Sequence, residues 1–174
     1  KIFPDSGTSL TENQQIWPFQ NDGSDFFGFQ SQKNSNTIQN KIEKSLSFLN
    51  NNKPINIIGA SRTDSGVHAL GQVAHFDLKT SLDNNDIKNA MNARLPHEIR
   101  ITQVESVSNK FHSRYDAKKK EYIYQCTLDN NPLLKSNYWF VKNIDLDIEQ
   151  KVSFFSDFSQ LRFVKITSYE TEVN

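Results

Sequence analysis

The sequence predicts an α+β domain in which a small antiparallel sheet carries helices on one face. Two observations lead to this prediction. Apolar residues recur at helical spacing in separate stretches, and strand-like runs lie between them, so that the first elements follow the order helix, strand, strand, helix, strand. The 174 residues, of which 36% are hydrophobic, also suffice for one medium domain with a real core.

The apolar periodicity predicts three helices. The first begins at Asn36, with Ser35 or Asn36 as its N-cap, and the second begins near Asp83 and stops at Pro96. A third begins at Asp147. Their inward faces carry, in turn, Ile38, Ile42, Leu46 and Leu49; Ile87, Ala90, Met91 and Leu95; and Ile148, Val152 and Phe155.

Strands are predicted at residues 55–58, ending at Gly59, at 72–78, at 99–107 and at 121–128. In the second of these, one face carries Ala74, Phe76 and Leu78 and the other carries Val73, His75 and Asp77. Trp17-Pro18 should interrupt any strand through residues 1–20, except at the edge of a sheet, because proline lacks the N–H that a ladder needs.

Charge and cysteine content narrow the class of protein. Lysine plus arginine and aspartate plus glutamate both number 20, so a polyanionic partner would have to bind a local basic patch. The single cysteine, Cys126, excludes a disulfide within the chain and nearly excludes a cysteine zinc site. There is neither an apolar run of roughly 18 residues nor a recognisable leader. We therefore expect a soluble, cytoplasmic protein.

The loop at residues 59–71 is the first candidate site. Gly66 and Gly71 permit backbone shapes that other residues resist, and they would let the loop hold Asp64 at a defined angle above a cleft. Arg62 would then keep that carboxylate ionised or contact a phosphate. From the pattern alone, a simple turn in which Asp64 bonds its own backbone is the favoured interpretation.

A metal site built on His68, His75 and Asp77 is a weaker hypothesis. The two histidines are seven residues apart, which fits neither a helical zinc pair nor a zinc finger. A strand residue that makes a structural hydrogen bond is the better interpretation of His75.

The second candidate site is the basic, aromatic segment at residues 110–125. Basic residues attract phosphates whatever the base sequence, and aromatic rings stack on unpaired bases. A solvated charge run followed by an ordinary strand explains the same pattern, and the residues alone leave both interpretations open. The segment contains Lys110, Arg114, Lys118, Lys119 and Lys120, interleaved with Tyr115, Tyr122 and Tyr124.

Several motifs in order resemble TruA-type tRNA pseudouridine synthases. Residues 59–69 read Gly-Ala-Ser-Arg-Thr-Asp-Ser-Gly-Val-His-Ala and continue as Gly71-Gln72-Val73-Ala74-His75-Phe76. Further similar segments are Asp-Gly-Ser-Asp-Phe-Phe-Gly-Phe-Gln at 22–30, Thr-Ile-Gln at 37–39 with Glu43, Asn-Ala-Arg-Leu-Pro at 92–96, Phe-His-Ser-Arg-Tyr-Asp-Ala at 111–117, Lys-Glu-Tyr-Ile-Tyr at 120–124, Asn-Pro-Leu at 131–133 and Asp-Phe-Ser at 157–159. The resemblance covers about residues 22–163.

This resemblance implies isomerisation of uridine to pseudouridine at positions 38–40 of the tRNA anticodon stem-loop. It assigns Asp64 as the nucleophile, Tyr122 as the ring that packs on the target uracil, and Arg62 as the residue that helps flip and hold the nucleotide. Arg114 and residues 118–120 are the basic residues expected to contact RNA. The family uses no metal and no organic cofactor, works as a homodimer, and has an RRM/ferredoxin-like fold with helices on one face of the sheet.

The resemblance also predicts the domain organisation. Residues 1–20 stay unassigned, and residues 21–163 form the N-terminal catalytic domain. Residues 164–174 are an unassigned tail, with the beginning of an incomplete C-terminal domain as the alternative. The family's C-terminal half is not found in this sequence, which leaves a non-catalytic RNA-binding half-domain as the alternative function. Asn21 stands where the family usually has an aromatic residue.

Overall fold

The computed structural model describes residues 11–123, 126–127, 130–134, 139–140, 142 and 166–170. The chain divides into two compact units, one containing Lys1–Lys120 and Thr167–Asn174 and the other containing Glu121–Ile166. Both candidate active-site segments that are described with their side chains, the loop after residue 58 and residues 110–118, belong to the first unit.

The described helices are α1 (Ile38–Leu49) and α2 (Asn84–Asn92), with a short 3₁₀ turn at Pro132–Leu134. The described strands are β1 (Thr11–Asn21), β2 (Ile58–Gly59), β3 (His68–Thr80), β4 (Ile99–Ile101), β5 (Glu105–Val107), β6 (Lys119–Ile123), β7 (Cys126–Thr127), β8 (Trp139–Phe140) and β9 (Ile166–Glu170). In the second unit, β7 and β8 pair in parallel.

The sheet of the first unit is built around β1 and β3. They pair antiparallel from Thr11 opposite Thr80 to Asn21 opposite Ala69. On its other side β1 pairs antiparallel with β4 and β5, while β2 pairs antiparallel with β3. The predicted α+β architecture, an antiparallel sheet with helices, is confirmed.

The prediction that Trp17-Pro18 interrupts a strand is wrong, since both residues lie within β1, which has neighbours on both sides. The Pro18 carbonyl accepts hydrogen bonds from the Thr102 N–H (3.0 Å) and the Thr102 hydroxyl (2.8 Å), so the side of Pro18 without an N–H faces β4 and β5. These two strands are separated by residues 102–104 at that point. Pro18 is tolerated because the neighbouring ladder is broken opposite it.

The main core lies between the helices and one face of the sheet. Ile38, Ile42 and Leu46 of α1 are fully buried, as predicted, and Leu49 packs at the margin. Ile87 and Met91 of α2 join the same core. The sheet contributes to it Trp17 and Phe19 of β1 and the predicted row Ala74, Phe76 and Leu78 of β3.

The opposite face of the sheet is also covered. Val73 packs with Ile16 and Ala60 in a smaller cluster, against which Phe111 rests. His75, on the same side of β3 as Val73, is 5% exposed. Residues 111–113 therefore cover the sheet face that points away from the helices, and this fixes where the basic segment begins.

Several element boundaries differ from the prediction. The N-cap of α1 is Thr37 rather than Ser35 or Asn36: its backbone is extended, and its side-chain hydroxyl accepts the Asn40 N–H. Only Ile58–Gly59 of the strand predicted at 55–58 forms a ladder, and the strand predicted at 99–107 is divided into β4 and β5. The second helix begins near Asp83, as predicted, with Asp83 as its N-cap, but it ends at Asn92 rather than at Pro96. The helix predicted from Asp147 lies outside the described residues.

None of the helices in the described part of the chain combines the length and the apolar character needed to cross a membrane.

Candidate active site

The loop between β2 and β3, residues 60–67, carries Arg62 and Asp64 at the surface. Its two ends are fixed by the β2–β3 ladder, in which Gly59 lies opposite Ala74. The ladder continues into the loop, because the Ala60 N–H donates to the Val73 carbonyl (2.8 Å). The side chain of buried Gln72 then donates to the Ser61 carbonyl (2.8 Å). The first turn of the loop is therefore rigidly connected to the sheet.

A second segment, residues 21–30, holds the tip of this loop from the other side. The Phe29 N–H donates to the Thr63 carbonyl (3.0 Å), and the Gly66 N–H donates to the Phe26 carbonyl (3.2 Å). The Ser65 hydroxyl donates to the same Phe26 carbonyl (3.1 Å). Asp64 is exposed between residues whose backbones are fixed on both sides.

Two glycines with positive φ shape this part of the site, and one of them, Gly28, permits the close approach. Gly28 has a φ of +88°, and a Cβ on it would lie 2.6 Å from the Thr63 carbonyl oxygen. Gly66 has a φ of +76°, which supports the prediction that it adopts a backbone shape other residues resist. Gly71, predicted to do the same, lies within β3 instead.

The far end of the loop is attached to residues 21–24. Asn21, buried where an aromatic residue was expected, donates from its side chain to the Val67 carbonyl (3.3 Å). His68 Nδ1 accepts the Gly23 N–H (3.2 Å) and lies 3.1 Å from an Asp22 carboxylate oxygen. Hydrogen bonds from the Ser24 hydroxyl and N–H lower the pKa of Asp22 below its ordinary value.

Arg62 and Arg114, predicted in separate segments, line one shallow cleft with a volume of about 130 Å³. Both side chains are exposed, so this cleft carries two positive charges at the surface. Asp64 is two residues from Arg62 but is not among the lining residues. The other residues of the cleft are Phe29, Gln30, Gln39, Ile57, Ile58 and Gly59.

Arg114 is positioned by its buried neighbour Ser113. The Ser113 N–H donates to His75 Nδ1 (3.1 Å), and the Ser113 hydroxyl donates to the Ile58 carbonyl (2.7 Å) and lies 2.9 Å from the same ring nitrogen. An Nδ1 atom that accepts an N–H carries no proton. Burial, assisted by His112, lowers the pKa of His75 and favours this neutral form. The prediction that His75 makes a structural hydrogen bond is confirmed.

Sequence reasoning gave no role to the pair Gln39 and Glu43, although both fell within the resemblance. The Glu43 carboxylate accepts the Ile57 N–H (3.1 Å) and the Gln39 side-chain N–H (2.8 Å). Gln39 also donates to the Ile57 carbonyl (3.3 Å) and accepts the Ser31 N–H (2.9 Å). The four-residue spacing on one helix was the available signal. The pair attaches α1 to the strand that leads into the loop.

The remaining predicted site residues lie on or beside β6. Lys118 is exposed. Lys119, Lys120 and Tyr122 lie on β6, but their side chains are outside the described residues. Within the described part of the chain, no three His, Cys, Asp or Glu side chains are grouped so as to hold a metal ion, so the geometry gives no support to the hypothesis built on His68, His75 and Asp77.

Comparison with known proteins gives matches that include both segments of the site. A family model described as tRNA pseudouridine synthase matches residues 20–116. A Streptococcus gordonii protein named tRNA pseudouridine synthase A is 44% identical over 116 residues, covering 66% of this chain and 47% of the relative. Proteins of the same name from Oceanobacillus iheyensis (41% identical; 74% of this chain, 51% of the relative) and Ehrlichia chaffeensis (44%; 75% and 54%) match similarly. The chain spans about half the length of the curated relatives it matches.

Proposed function

The chain belongs to the tRNA pseudouridine synthase family, and from this premise we propose that it forms the nucleophile-bearing part of an enzyme that isomerises uridine to pseudouridine in tRNA. The observation that carries the proposal is the loop with Asp64 at its tip, which lies inside the family match and is fixed on both sides. The proposed substrate positions are 38–40 of the anticodon stem-loop, as the resemblance implies.

Asp64 is the proposed nucleophile. The reaction breaks the N1–C1′ glycosidic bond and forms a C5–C1′ bond, so the detached uracil must be held while it turns. A carboxylate serves either by covalent attack or by removing a proton from the sugar. The hydrogen bonds that fix Thr63 and Gly66 on either side of Asp64 support this role, because they restrict the backbone that positions the carboxylate.

Arg62 is the proposed ligand of the flipped nucleotide, with Arg114 as its neighbour. A uridine inside a folded RNA has to leave its stack before the glycosidic bond is accessible. Two exposed guanidinium groups on one cleft are suited to holding the phosphates on either side of such a nucleotide. Tyr122 is proposed to pack on the uracil, and Lys118, Lys119 and Lys120 to add attraction to the RNA backbone.

The finer features of the resemblance belong to the same proposal. We assign the chain an RRM/ferredoxin-like pseudouridine synthase fold, with residues 21–163 as the catalytic domain of a cytoplasmic homodimer. In this proposal a C-terminal half, beyond this sequence, completes the active site. The coverage of about half of each relative supports that part of the proposal.

Tritium release from tRNA labelled at uridine C5 tests the proposal, because the C5 hydrogen must leave when C5 bonds to the sugar. With the C-terminal half of a relative added to complete the site, we expect release from the wild type and none from Asp64→Asn, while tRNA binding is retained. Asp86→Asn is the matched control: it removes an exposed carboxylate on α2 and should leave release unchanged. Release at the normal rate from Asp64→Asn would show that the nucleophile is another residue.

A non-catalytic RNA-binding half-domain is the second candidate function. The arginine pair at the cleft and the half-length coverage favour it. It predicts salt-dependent tRNA binding by the chain with no tritium release from the wild type or from Asp64→Asn. If adding the C-terminal half of a relative restored tritium release, the chain would be part of an active synthase and not a non-catalytic half-domain.

A further inference from the structure

We infer that the stacked rings of His112 and Tyr115 form a binding platform for an unpaired RNA base, with Arg114 beside it to hold the adjoining phosphate. The inference rests on the proposed RNA substrate but concerns a contact separate from the chemistry at Asp64. It identifies a second point, outside the arginine cleft, at which the chain would bind the RNA loop.

The geometry of the two rings is that of a stacking surface. The ring centroids of His112 and Tyr115 are 4.1 Å apart and their planes are inclined by only 25°. Tyr115 is 79% exposed, a high value for a large aromatic residue. Since His112 covers one face of the Tyr115 ring, the exposed fraction includes the opposite face. Every nucleobase has a π-face that can stack on such a ring.

The platform is fixed before any ligand arrives. His112 packs edge-on against buried His75, with centroids 4.9 Å apart. The Asp116 carboxylate accepts the His112 N–H (2.7 Å), and the Tyr115 N–H donates to the His112 carbonyl (3.0 Å). Ser113, which follows His112 in the sequence, is anchored to the sheet by its bonds to His75 and Ile58. A base would therefore bind without paying to order this turn.

The charges around the platform point to nucleic acid. Arg114 lies between the two ring residues in sequence and lines the cleft that also contains Arg62. Lys118, four residues after Arg114, is exposed as well. An exposed aromatic face with Arg114 and Lys118 close along the chain, against the one carboxylate of Asp116, matches a base followed by its phosphate, because stacking and phosphate attraction are then satisfied together.

The test uses an RNA hairpin with a fluorescent purine at one position of its unpaired loop. Stacking on an aromatic ring quenches such a purine, whereas attraction to phosphates alone does not. For this chain we expect quenching on binding, and we expect Tyr115→Ala to remove the quenching and weaken hairpin binding by about 5- to 140-fold. Tyr115→Phe and Tyr115→Trp, which keep a ring, should stay within about twofold of the wild type.

Two further variants separate stacking from charge. Arg114→Ala should lower the slope of log affinity against log salt by about 1, whereas Tyr115→Ala should leave that slope unchanged. Phe48→Ala, which removes an exposed aromatic ring at the end of α1 remote from Gln39, should change neither quenching nor affinity.

Three results would overturn the inference. If Tyr115→Ala and the wild type showed equal quenching and affinity, with tritium release retained, the platform would be rejected and the proposed function would stand. No quenching by the wild-type chain at any loop position would remove it whatever the catalytic result. A changed sedimentation coefficient in Tyr115→Ala with unchanged quenching would assign the ring to a protein contact instead.

Discussion

The two segments that contribute arginines to the cleft are held in place by different means. The tip of the loop with Arg62 and Asp64 is fixed mainly by main-chain hydrogen bonds to residues 26–29, with one more from the Ser65 hydroxyl, and by the absence of a side chain at Gly28. The segment with Arg114 is fixed by a buried side-chain network between Ser113 and His75. One region depends on how closely two backbones approach, and the other depends on the chemistry of two side chains.

This difference determines which substitutions each region tolerates. Where main-chain groups make the bonds, most side chains can change without losing them, but an added Cβ cannot be accommodated. Where a buried hydroxyl and an imidazole make the bonds, removing either leaves a buried polar group without its partner. The difference also predicts that the stability of the second region depends on pH near neutrality through His75.

The largest effect should come from Gly28→Ala, compared with Gly66→Ala. Both glycines have positive φ, so each alanine should strain the backbone by about 1–2 kcal/mol. A Cβ at position 66 meets no atom within 4 Å, whereas a Cβ at position 28 would lie 2.6 Å from the Thr63 carbonyl oxygen. We therefore expect losses in the free energy of unfolding of about 1–2 kcal/mol for Gly66→Ala and about 2–5 kcal/mol for Gly28→Ala.

Urea denaturation of the two variants measures this difference, and tritium release reports its consequence for Asp64. Release is measured without urea, at a temperature at which both variants stay folded. Gly28→Ala should lower release more than Gly66→Ala, because the displaced Thr63 carbonyl adjoins Asp64. Equal losses of stability in the two variants would mean that backbone strain alone, and not the close approach, matters at Gly28.

The sequence predicted well those features that depend on regular spacing. The inward residues of α1, the beginning of α2 near Asp83 and the buried row Ala74, Phe76 and Leu78 were all predicted from local patterns. The strand through Pro18 was missed because its tolerance depends on a break between β4 and β5, roughly 84 residues later in the chain. Long-range register of this kind leaves no local signal.

The candidate site shows the same division. The glycine at position 66 and the structural role of His75 were predicted from residue type and neighbours. The meeting of Arg62 with Arg114 was not, because it requires Ser113 to reach the Ile58 carbonyl across 55 residues of chain. The contact of Gln39 and Glu43 with residue 57 was also missed. The two side chains bind the main-chain N–H and carbonyl of Ile57, and main-chain groups are the same at every residue, so the sequence does not mark this partner.

Two serine substitutions, one in each region, should have effects on stability of intermediate size. Ser113→Ala removes a buried hydroxyl from the Ile58 carbonyl and from His75, and should lower the free energy of unfolding by about 1–3 kcal/mol. Ser65→Ala removes a bond to the Phe26 carbonyl, which still accepts the Gly66 N–H, so the loss should be about 0.5–1 kcal/mol. Chemical denaturation of both variants measures the two values. A larger loss for Ser65→Ala would reverse the proposed contrast between the regions.

The smallest expected effect is a pH dependence of the free energy of unfolding, which arises from His75 and is specific to the second region. Its pKa is lowered in the folded protein, mainly by burial and then by His112, against the opposing influence of Asp77 and Asp116. Below the ordinary pKa of 6.5 the unfolded chain therefore binds a proton that the folded chain resists. The stabilisation is complete above that pH and is lost as the pH falls through the folded pKa.

Denaturation midpoints measured across this range test the assignment. The wild type should lose stability on acidification below pH 6.5, with a slope of at most about 1.4 kcal/mol per pH unit for one proton. His75→Asn retains an acceptor near the Nδ1 position but cannot be protonated, so its curve should be flatter over this window. His97→Asn, which replaces a histidine whose side chain is 86% exposed, serves as the control and should follow the wild type. If His75→Asn kept the full wild-type slope, the response would arise outside the Ser113 network, and the second region would be no more sensitive to pH than the first.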